Sequence, residues 1–373
     1  MRVEEVHGDD AAAQAQERLI LPGSPGQAAT RTGFLRIWKD SAFMKKQGRA
    51  VWLGCTLLLA ASGSSATDGP AQKNHAEVLQ QVVEIAQQNA LNAAKVDWET
   101  TQRTAAGILE NDPSDTGLTL AVRAVLKALG DHHSMYLPPS QAESLGASPK
   151  SAVQGTKATS PIAVSVKERN GIPVVAVNSW SGLSAQAAGN AAAEARDALN
   201  ASLGKPTCGL ILDLSSNGGG NMWPMVMGVL PLLSEGKLGQ FQERGGERTA
   251  VELVDHQLLY GGAPHYLNAP RLPAPAHLPR YVAVVIGPAT ASSGEITAIL
   301  FKGQRNVRFF GRPTAGFTTA NQVFRLGNGG ALALTMSTVS DREGTVYLDR
   351  VTPDETSEVA TDAADRWLKK QCG

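Results

Sequence analysis

One serine stands between two apolar runs in a pattern suited to nucleophilic chemistry. Residues 281–286 predict a buried strand, residues 287–291 a tight turn, and residues 296–302 the body of a helix. Ser292 would then lie at the helix N-terminus, where unpaired backbone N–H groups and the helix dipole stabilise negative charge. The same residues fit a capping box, in which Ser292 and Glu295 each satisfy a backbone N–H of the other. The segment alone leaves both interpretations open.

A glycine-rich loop upstream could complete such a site. The apolar run 208–214 predicts a strand, and the loop 215–220, with the sequence SSNGGG, precedes a helix predicted over 222–233. Consecutive glycines let the backbone approach a ligand closely and direct N–H groups towards it. The loop lacks the lysine of a P-loop and the glycine spacing of a dinucleotide site, so no nucleotide cofactor is predicted.

A candidate general base follows the predicted helix 118–129, in the sequence Asp131-His132-His133-Ser134. An imidazole with an ordinary pKa near ~6.5 can accept a serine proton at neutral pH, which suits His133 to that role. A histidine at a helix end can also serve as a C-terminal cap. Asp131 and the two histidines could bind a metal, but no further cluster of ligand residues accompanies them, and no metal site is predicted.

Three patches occur in the order expected of one known family. They are an Asp-Leu-x-x-Asn-x-Gly-Gly pattern at 213–220, a Thr-Ala-Ser-x-x-Glu pattern at 290–295 and a Pro-Asp pair at 353–354. Together they make the sequence similar to C-terminal processing (tail-specific) serine proteases, a family that includes the tricorn core protease. The resemblance covers roughly residues 78–360 and implies that Ser292 is a nucleophile, with the N–H groups of Gly219 and Ser293 as oxyanion hole.

Two residues depart from the family pattern. Ser215 stands where the family has an arginine, and Phe317 stands where one branch has the lysine of a serine–lysine dyad. A phenylalanine has no basic group, so a lysine dyad is excluded at this position. The sequence then resembles the tricorn-like branch, which takes its base from an Asp-x-His-Ser motif, and this implies that His133 is the base.

A catalytic histidine also needs a partner that holds its tautomer. The candidates are Ser134, Glu343 and Asp354, since the histidine branch of the family employs a late acidic residue. Glu295 is the least expected partner, because helix capping already explains its position.

Alternating strands and helices after residue 160 predict an α/β fold with a core of parallel βαβ units, and the family resemblance implies a Clp-protease/crotonase-like architecture. Antiparallel strands near 322–326 and 331–339 are expected to finish the same sheet. The predicted divisions are a helical subdomain over 67–135, a flexible loop over 136–160, the α/β protease core over 161–360 and a C-terminal tail over 361–373.

The core contains a long insert, 235–280, which is rich in Gly and Pro. Its length is unusual for a plain connection, so it is a candidate for selecting the substrate; a solvated loop or edge hairpin is the alternative. The interval between His133 and Asp213 is too short for the PDZ module that many members of the family carry.

The N-terminal region carries the pattern of a signal peptide that starts at Met44. Basic residues occur over 45–49, an apolar run over 50–61 and small residues over 64–66. We therefore expect a periplasmic or secreted protein, with residues 1–43 as a non-native or disordered extension. The apolar run is shorter than the roughly 20 residues of a spanning helix, so no membrane span is expected in the mature chain.

The charge balance and the cysteines bear on the partners of the protein and on its cellular compartment. The chain has 34 Lys and Arg and 34 Asp and Glu, a formal net charge of zero that does not favour nucleic acid as a partner. Cys208 and Cys372 would remain after signal cleavage and could pair in an oxidising compartment. Because Cys208 opens a buried strand and Cys372 lies at an end expected to fray, we expect unpaired thiols.

These features together predict a serine-type peptidase that hydrolyses peptide bonds by acyl transfer, with Ser292 attacking and His133 as base. Its partner would be a peptide or protein substrate. The alternative is a catalytically silent protein that binds a peptide or an apolar ligand on the same fold, which the missing lysine and arginine would favour. A crotonase-like acyl-CoA enzyme is disfavoured, because CoA is cytoplasmic and the signal peptide directs the chain elsewhere.

Overall fold

The computed structural model describes residues 74–146, 164–182 and 184–373. The predicted signal peptide, the extension before it and residues 147–160 of the predicted flexible loop lie outside the described residues. Within the described residues the chain has the mixed α/β fold that the sequence predicts.

Three helices form the N-terminal part of the described chain. They are α1 (His75–Asn89), α2 (Trp98–Asn111) and α3 (Asp115–Ala128). Each begins after a polar residue whose side chain accepts a backbone N–H of the first turn, namely Asn74, Asp97 and Ser114. Their apolar faces pack together and onto Leu332 and Leu334, which ties the helices to a strand late in the chain.

The segment after α3 differs from the sequence prediction near its start. It contains β1 (Met135–Leu137), α4 (Pro139–Gly146), β2 (Val164–Arg169), β3 (Ile172–Val177), α5 (Ala185–Ser202), β4 (Gly209–Asp213) and α6 (Met222–Val229). The prediction of a flexible loop over 136–160 is wrong for residues 139–146, which form α4. Pro139 has the fixed φ that suits the first position of a helix.

The insert 235–280 is folded and contributes to the core. It forms four consecutive antiparallel strands, β5 (Gly236–Glu243), β6 (Arg248–Val254), β7 (Gln257–Tyr260) and β8 (Ala263–Pro264). Alternate residues such as Phe241, Val251 and Leu253 are buried in the main apolar cluster. The interpretation of the insert as a solvated loop is therefore wrong for most of its length, whereas the alternative of an edge hairpin agrees with β6, β7 and β8 at the edge of a sheet.

The rest of the chain alternates between strands and two helices. It contains β9 (Tyr281–Ile286), α7 (Ser293–Ile299), β10 (Val307–Gly311), β11 (Ala320–Arg325), β12 (Ala331–Asp341), β13 (Val346–Tyr347), β14 (Glu355–Thr356) and α8 (Ala360–Cys372).

A six-stranded sheet carries the two loops of interest. Its order is β14-β10-β9-β4-β3-β2, with β2 antiparallel to β3 and the other neighbours parallel. Both faces are covered: Val282 and Val284 of β9 face the cluster that includes α5, α6 and α7, while Ala283 and Val285 face α8. The loops that follow β4 and β9 therefore leave the same edge of the sheet.

A second, eight-stranded sheet has the order β1-β12-β5-β6-β7-β8, with β11 and β13 also paired to β12. The prediction that β11 and β12 finish the parallel sheet is wrong, because they belong to this second sheet together with the insert. Pairing between strands so far apart in the chain is not encoded in local periodicity.

The C-terminal segment is a packed helix. Ala363, Ala364 and Leu368 of α8 are buried against the six-stranded sheet. This packing brings Cys372 to the start of β4, where it forms a disulfide with Cys208 across a Cα–Cα distance of 5.8 Å. The expectation of unpaired thiols is therefore wrong, because the predicted frayed end is held by its apolar face.

We expect the change Cys372→Ser to lower the free energy of unfolding by about 2–4 kcal/mol, since the bond closes a loop of 164 residues and constrains the unfolded chain. Denaturant unfolding of the single and double variants measures this loss. The variant with both Cys208→Ser and Cys372→Ser should match the single variants, because all three lack the same bond. A Cys372→Ser protein as stable as the parent would contradict the prediction.

Candidate active site

Two loops at the carboxyl edge of the six-stranded sheet lie against each other. One follows β4 and contains Asn217, and the other follows β9 and leads to Ser292. The Ala291 N–H donates to the Asn217 carbonyl at 2.9 Å, and the Thr290 hydroxyl donates to the Leu214 carbonyl at 2.9 Å. The neighbouring strands β4 and β9 thus bring the glycine-rich loop to the predicted nucleophile.

Ser292 itself has an unusual backbone conformation, with φ of 53° and ψ of −121°. A positive φ outside glycine is uncommon and costs of order 1–3 kcal/mol, which the surroundings must offset. The Ser292 N–H donates to the Glu295 carboxylate at 3.0 Å, which closes the capping box with α7. The capping turn and the position of the serine hydroxyl are therefore two aspects of one turn, and the two interpretations of the sequence are compatible.

His133 reaches Ser292 from the turn that follows α3. The chain leaves α3 through Gly130, whose φ of 66° suits a glycine after a helix. His133 follows three residues later, is 7% exposed, and has its Nε2 atom 2.9 Å from Ser292 Oγ. The structure thus brings together two candidate residues that are 159 positions apart in the sequence.

The other ring nitrogen of His133 contacts Thr319. Its Nδ1 atom lies 2.9 Å from Thr319 Oγ1. The expected partners are wrong: Ser134 Oγ donates to Asp131, the Glu343 side chain is exposed, and Asp354 accepts the Phe309 N–H. In the tautomer that leaves Nε2 free to take a proton, Nδ1–H donates to the Thr319 hydroxyl oxygen.

The backbone of His133 is held by a polar network. Asp131 Oδ1 accepts the N–H groups of His133 at 3.0 Å and of Ser134 at 2.6 Å. Asn321 Nδ2 donates to the His133 carbonyl at 2.8 Å, and the Thr335 hydroxyl donates to Asn321 Oδ1 at 2.9 Å. Strands β11 and β12 therefore fix the base, and Ser134 takes part in holding the turn, with no contact to the ring.

Burial lowers the pKa of His133 below its ordinary value, because the charged imidazolium loses hydration. The negative charge of Asp131 and a hydrogen bond to the Thr319 backbone oppose this shift. The lowered pKa keeps the ring neutral at neutral pH, which is the form that accepts a proton.

Glu295 connects the nucleophile turn to the loop 314–317. Its carboxylate is fully buried and accepts the Ser292 N–H, the Thr314 hydroxyl, the Gly316 N–H at 2.9 Å and the Phe317 N–H at 2.7 Å. The ring of Phe317 lies 5.4 Å from the His133 ring, centroid to centroid. The residue that replaces the lysine of the other branch therefore packs beside the base.

The two predicted oxyanion donors both lie next to Ser292. A Cβ atom on Gly219 would stand 2.7 Å from Ser292 Cβ, so only glycine fits at this contact. The Gly219 N–H donates to Asn217 Oδ1 at 3.0 Å, so an oxyanion would have to compete with that amide oxygen. The Ser293 N–H opens α7 and has no acceptor among the described residues.

Thr319, Asn321 and the full role of Glu295 escaped the sequence analysis. Thr318 and Thr319 stand directly after the loop of Phe317, and polar residues there were the only local signal.

Within the described ranges, no group of three or more His, Cys, Asp and Glu residues is placed to hold a metal ion. None of the described helices has the length and hydropathy required of a membrane span.

A model of peptidase family S41 matches residues 171–357, a range that contains Ser292 and both loops. The nisin-resistance protein of Lactococcus lactis subsp. lactis is 36% identical over 164 residues, which are 44% of this chain and 50% of that protein. The chain thus spans about half the length of this curated relative.

Solved structures share the fold. A lipoprotein from Streptococcus agalactiae aligns with a TM-score of 0.64 and 24% identity, over 86% of this chain and 100% of its own. A peptidase from Parabacteroides merdae aligns with a TM-score of 0.51 and 16% identity, over 79% and 97% of the two chains. The photosystem II D1 C-terminal processing protease aligns with a TM-score of 0.50 and 14% identity, over 77% and 94%.

We expect the change Glu295→Gln to lower the free energy of unfolding by about 2 kcal/mol or more, because an amide NH₂ would face buried N–H donors. It should also slow the reaction of Ser292 with a fluorophosphonate, since the turn loses an acceptor. Unfolding curves and labelling rates measure both effects. The exposed Glu343 provides the matched control, Glu343→Gln, and equal behaviour of the two variants would contradict the prediction.

Proposed function

We propose that the chain, which belongs to peptidase family S41, is a serine peptidase with Ser292 as its nucleophile and His133 as its general base. The observation that carries the proposal is the 2.9 Å contact between Ser292 Oγ and His133 Nε2. The distance lies within the range in which a base takes a proton from a hydroxyl. A silent binding protein would have no use for this pair, so the contact favours catalysis over that alternative.

In the first half of the reaction, Ser292 Oγ attacks the carbonyl carbon of the substrate while its proton passes to His133 Nε2. The tetrahedral intermediate places its oxyanion near the Ser293 N–H, with the Gly219 N–H as second donor. His133 then gives the proton to the leaving amine, and the peptide bond breaks to leave an acyl group on Ser292. Water then attacks the acyl group while its proton passes to His133 Nε2. His133 returns this proton to Ser292 Oγ as the ester bond breaks, and the acid is released.

The partner of the base is a neutral hydroxyl. Thr319 Oγ1 accepts the Nδ1–H bond and holds the ring orientation, but it carries no charge to stabilise the imidazolium. The negative charge that favours the imidazolium comes from Asp131, which raises the pKa of His133 against the effect of burial. Orientation and charge compensation are thus supplied by two different residues.

The substrates of a peptidase are peptides or proteins, and the identity of the natural one belongs to this proposal. Nisin, for which the curated relative is named, is one candidate peptide to test.

A periplasmic or secreted location is also proposed, on the signal peptide pattern at 44–66. The disulfide between Cys208 and Cys372 supports it, since such bonds persist in oxidising compartments.

Labelling with a fluorophosphonate, followed by mass spectrometry, tests the nucleophile. We expect an adduct on Ser292 that is absent in Ser292→Ala and that forms at least about 10³ times more slowly in His133→Ala. Peptide cleavage should fall in parallel. The exposed neighbour His132 gives the matched control, His132→Ala, which should label at the parent rate. A folded parent protein that takes no label and cuts no peptide would favour the binding protein.

The pH dependence of kcat/KM tests the base. Because burial lowers the pKa of His133, we expect the acid limb of the profile below pH ~6.5, with activity lost as the ring protonates. The change Asp131→Asn removes the charge that raises this pKa and should move the limb to still lower pH. Asp255→Asn, an exposed carboxylate in the turn between β6 and β7, is the control. An unmoved limb in Asp131→Asn would contradict the assignment.

A further inference from the structure

Two segments beside the candidate active site run next to each other in opposite directions. At one end, the Thr314 N–H donates to the Val351 carbonyl at 3.1 Å, and the Val351 N–H donates to Thr314 Oγ1 at 2.8 Å. At the other end, the Thr318 hydroxyl donates to the Tyr347 carbonyl at 3.0 Å. The two segments are therefore antiparallel, with residues 314 and 351 opposite each other and residues 318 and 347 likewise.

A third close approach fixes the same register between these ends. Gly316 lies against Asp349, because a Cβ atom on Gly316 would stand 2.9 Å from Asp349 Oδ1. With that pair in place, the next pair along is Phe317 and Leu348. The segments are not a regular ladder, since Gly316 has a φ of 98°, but this register places Phe317 and Leu348 next to each other.

Apolar residues of these segments are open to solvent, beside the exposed Arg350. Thr318 is buried and Tyr347 turns its hydroxyl inward to Asp341, so these two residues project to the inner side. Leu348 is 73% exposed, and Val346, two residues earlier, is 45% exposed. Phe317 is half-buried. We refer to Phe317, Val346 and Leu348 as the apolar shelf.

The apolar shelf adjoins the base. The Phe317 ring lies 5.4 Å from the ring of His133, centroid to centroid, and the Phe317 N–H is fixed by Glu295 at 2.7 Å. Val346 stands opposite Thr319, which contacts His133 Nδ1. The shelf is therefore an extension of the surface around His133, held by the same hydrogen bonds that hold the nucleophile.

The chemistry of the reaction decides which part of a substrate passes over this surface. His133 must deliver a proton to the leaving nitrogen, so that nitrogen has to approach the His133 side of Ser292. The substrate residues attached to that nitrogen are those that follow the scissile bond. They must leave the site across the region next to His133, where the apolar shelf lies.

We propose that the apolar shelf binds the first two residues after the scissile bond and gives the enzyme a preference for large apolar side chains there. This inference rests on the proposed function of Ser292 and His133. Substrate contact would remove exposed surface of Leu348 and Val346 from water, which favours binding of an apolar side chain over a polar one. The arrangement assigns the preference to the leaving side of the bond and to Leu348 above all.

The test maps cleavage sites in a peptide mixture of known sequence, made from denatured proteins, by mass spectrometry of the new termini. The parent protein should cut most often before Leu, Ile, Val, Phe or Met in the first or second position. Leu348→Ser should reduce the relative kcat/KM for such peptides by about fivefold to tenfold, against peptides with Gly or Ser there. Fluorophosphonate labelling of Ser292 should be unchanged in this variant.

A matched control is available at the far end of β9. Leu278 is 59% exposed and precedes that strand, whereas Ser292 follows it, so Leu278→Ser removes a similar apolar surface away from the site. This variant should keep the parent preference. Because Leu348 is exposed, neither substitution is expected to affect folding, and an unfolding curve of each variant checks this.

The possible outcomes distinguish a failure of this inference from a failure of the proposed function. A parent protein that cleaves peptides without regard to the residues after the bond overturns the inference alone, as does a Leu348→Ser variant with the parent preference. A change of oligomeric state in Leu348→Ser with unchanged preference overturns it in favour of contact with a second copy. A parent protein that neither labels at Ser292 nor cuts any peptide overturns the proposed function together with the inference.

Discussion

The buried carboxylate of Glu295 is the interaction on which the site depends. No salt bridge joins it to another of the described residues, and it is satisfied by four donors, two from backbone groups of the loop 314–317, one from the Thr314 hydroxyl and one from the Ser292 N–H. A buried charge of this kind is tolerated only when its hydrogen bonds are complete. These hydrogen bonds hold the turn of Ser292, with its positive φ, against the loop that carries Phe317 and leads to Thr319.

The contacts around His133 depend on the turn and loop that Glu295 joins. Thr319 meets one nitrogen of His133 and Phe317 packs beside its ring, while β11 and β12 hold the His133 backbone through Asn321 and Thr335. The six-stranded sheet supplies the proposed nucleophile, and the second sheet with the N-terminal helices supplies the proposed base. The candidate active site is thus the place where the two sheets meet, and each contributes one half of the proposed catalytic pair.

The electrostatics of the base differ from those of a triad with a carboxylate at Nδ1. A neutral hydroxyl occupies that position, and the nearby negative charge of Asp131 acts on the ring from the backbone side. Burial favours the neutral imidazole, and Asp131 limits how far the pKa falls. This balance keeps the ring ready to accept a proton without a second carboxylate in direct contact with it.

The sequence by itself determined the α/β class, the strands and helices around Ser292, the glycine loop and the family. Each of these is carried by local periodicity or by a motif whose residues are neighbours in the chain. It also singled out His133, on the strength of a motif. The exclusion of a lysine base at position 317 followed from Phe317 alone, since a phenylalanine has no basic group.

Tertiary structure decided the pairing of Ser292 with His133, the partner at Nδ1, the second sheet and the disulfide. Thr319 could not be chosen over Ser134, Glu343 or Asp354 from the sequence, because contact depends on how β11 lies against the turn after α3. Cys372 was expected to fray, but the apolar face of α8 packs on the sheet and carries the cysteine to Cys208. In every such case the contact joins residues distant in the chain, and their separation in space is set by packing that no local pattern encodes.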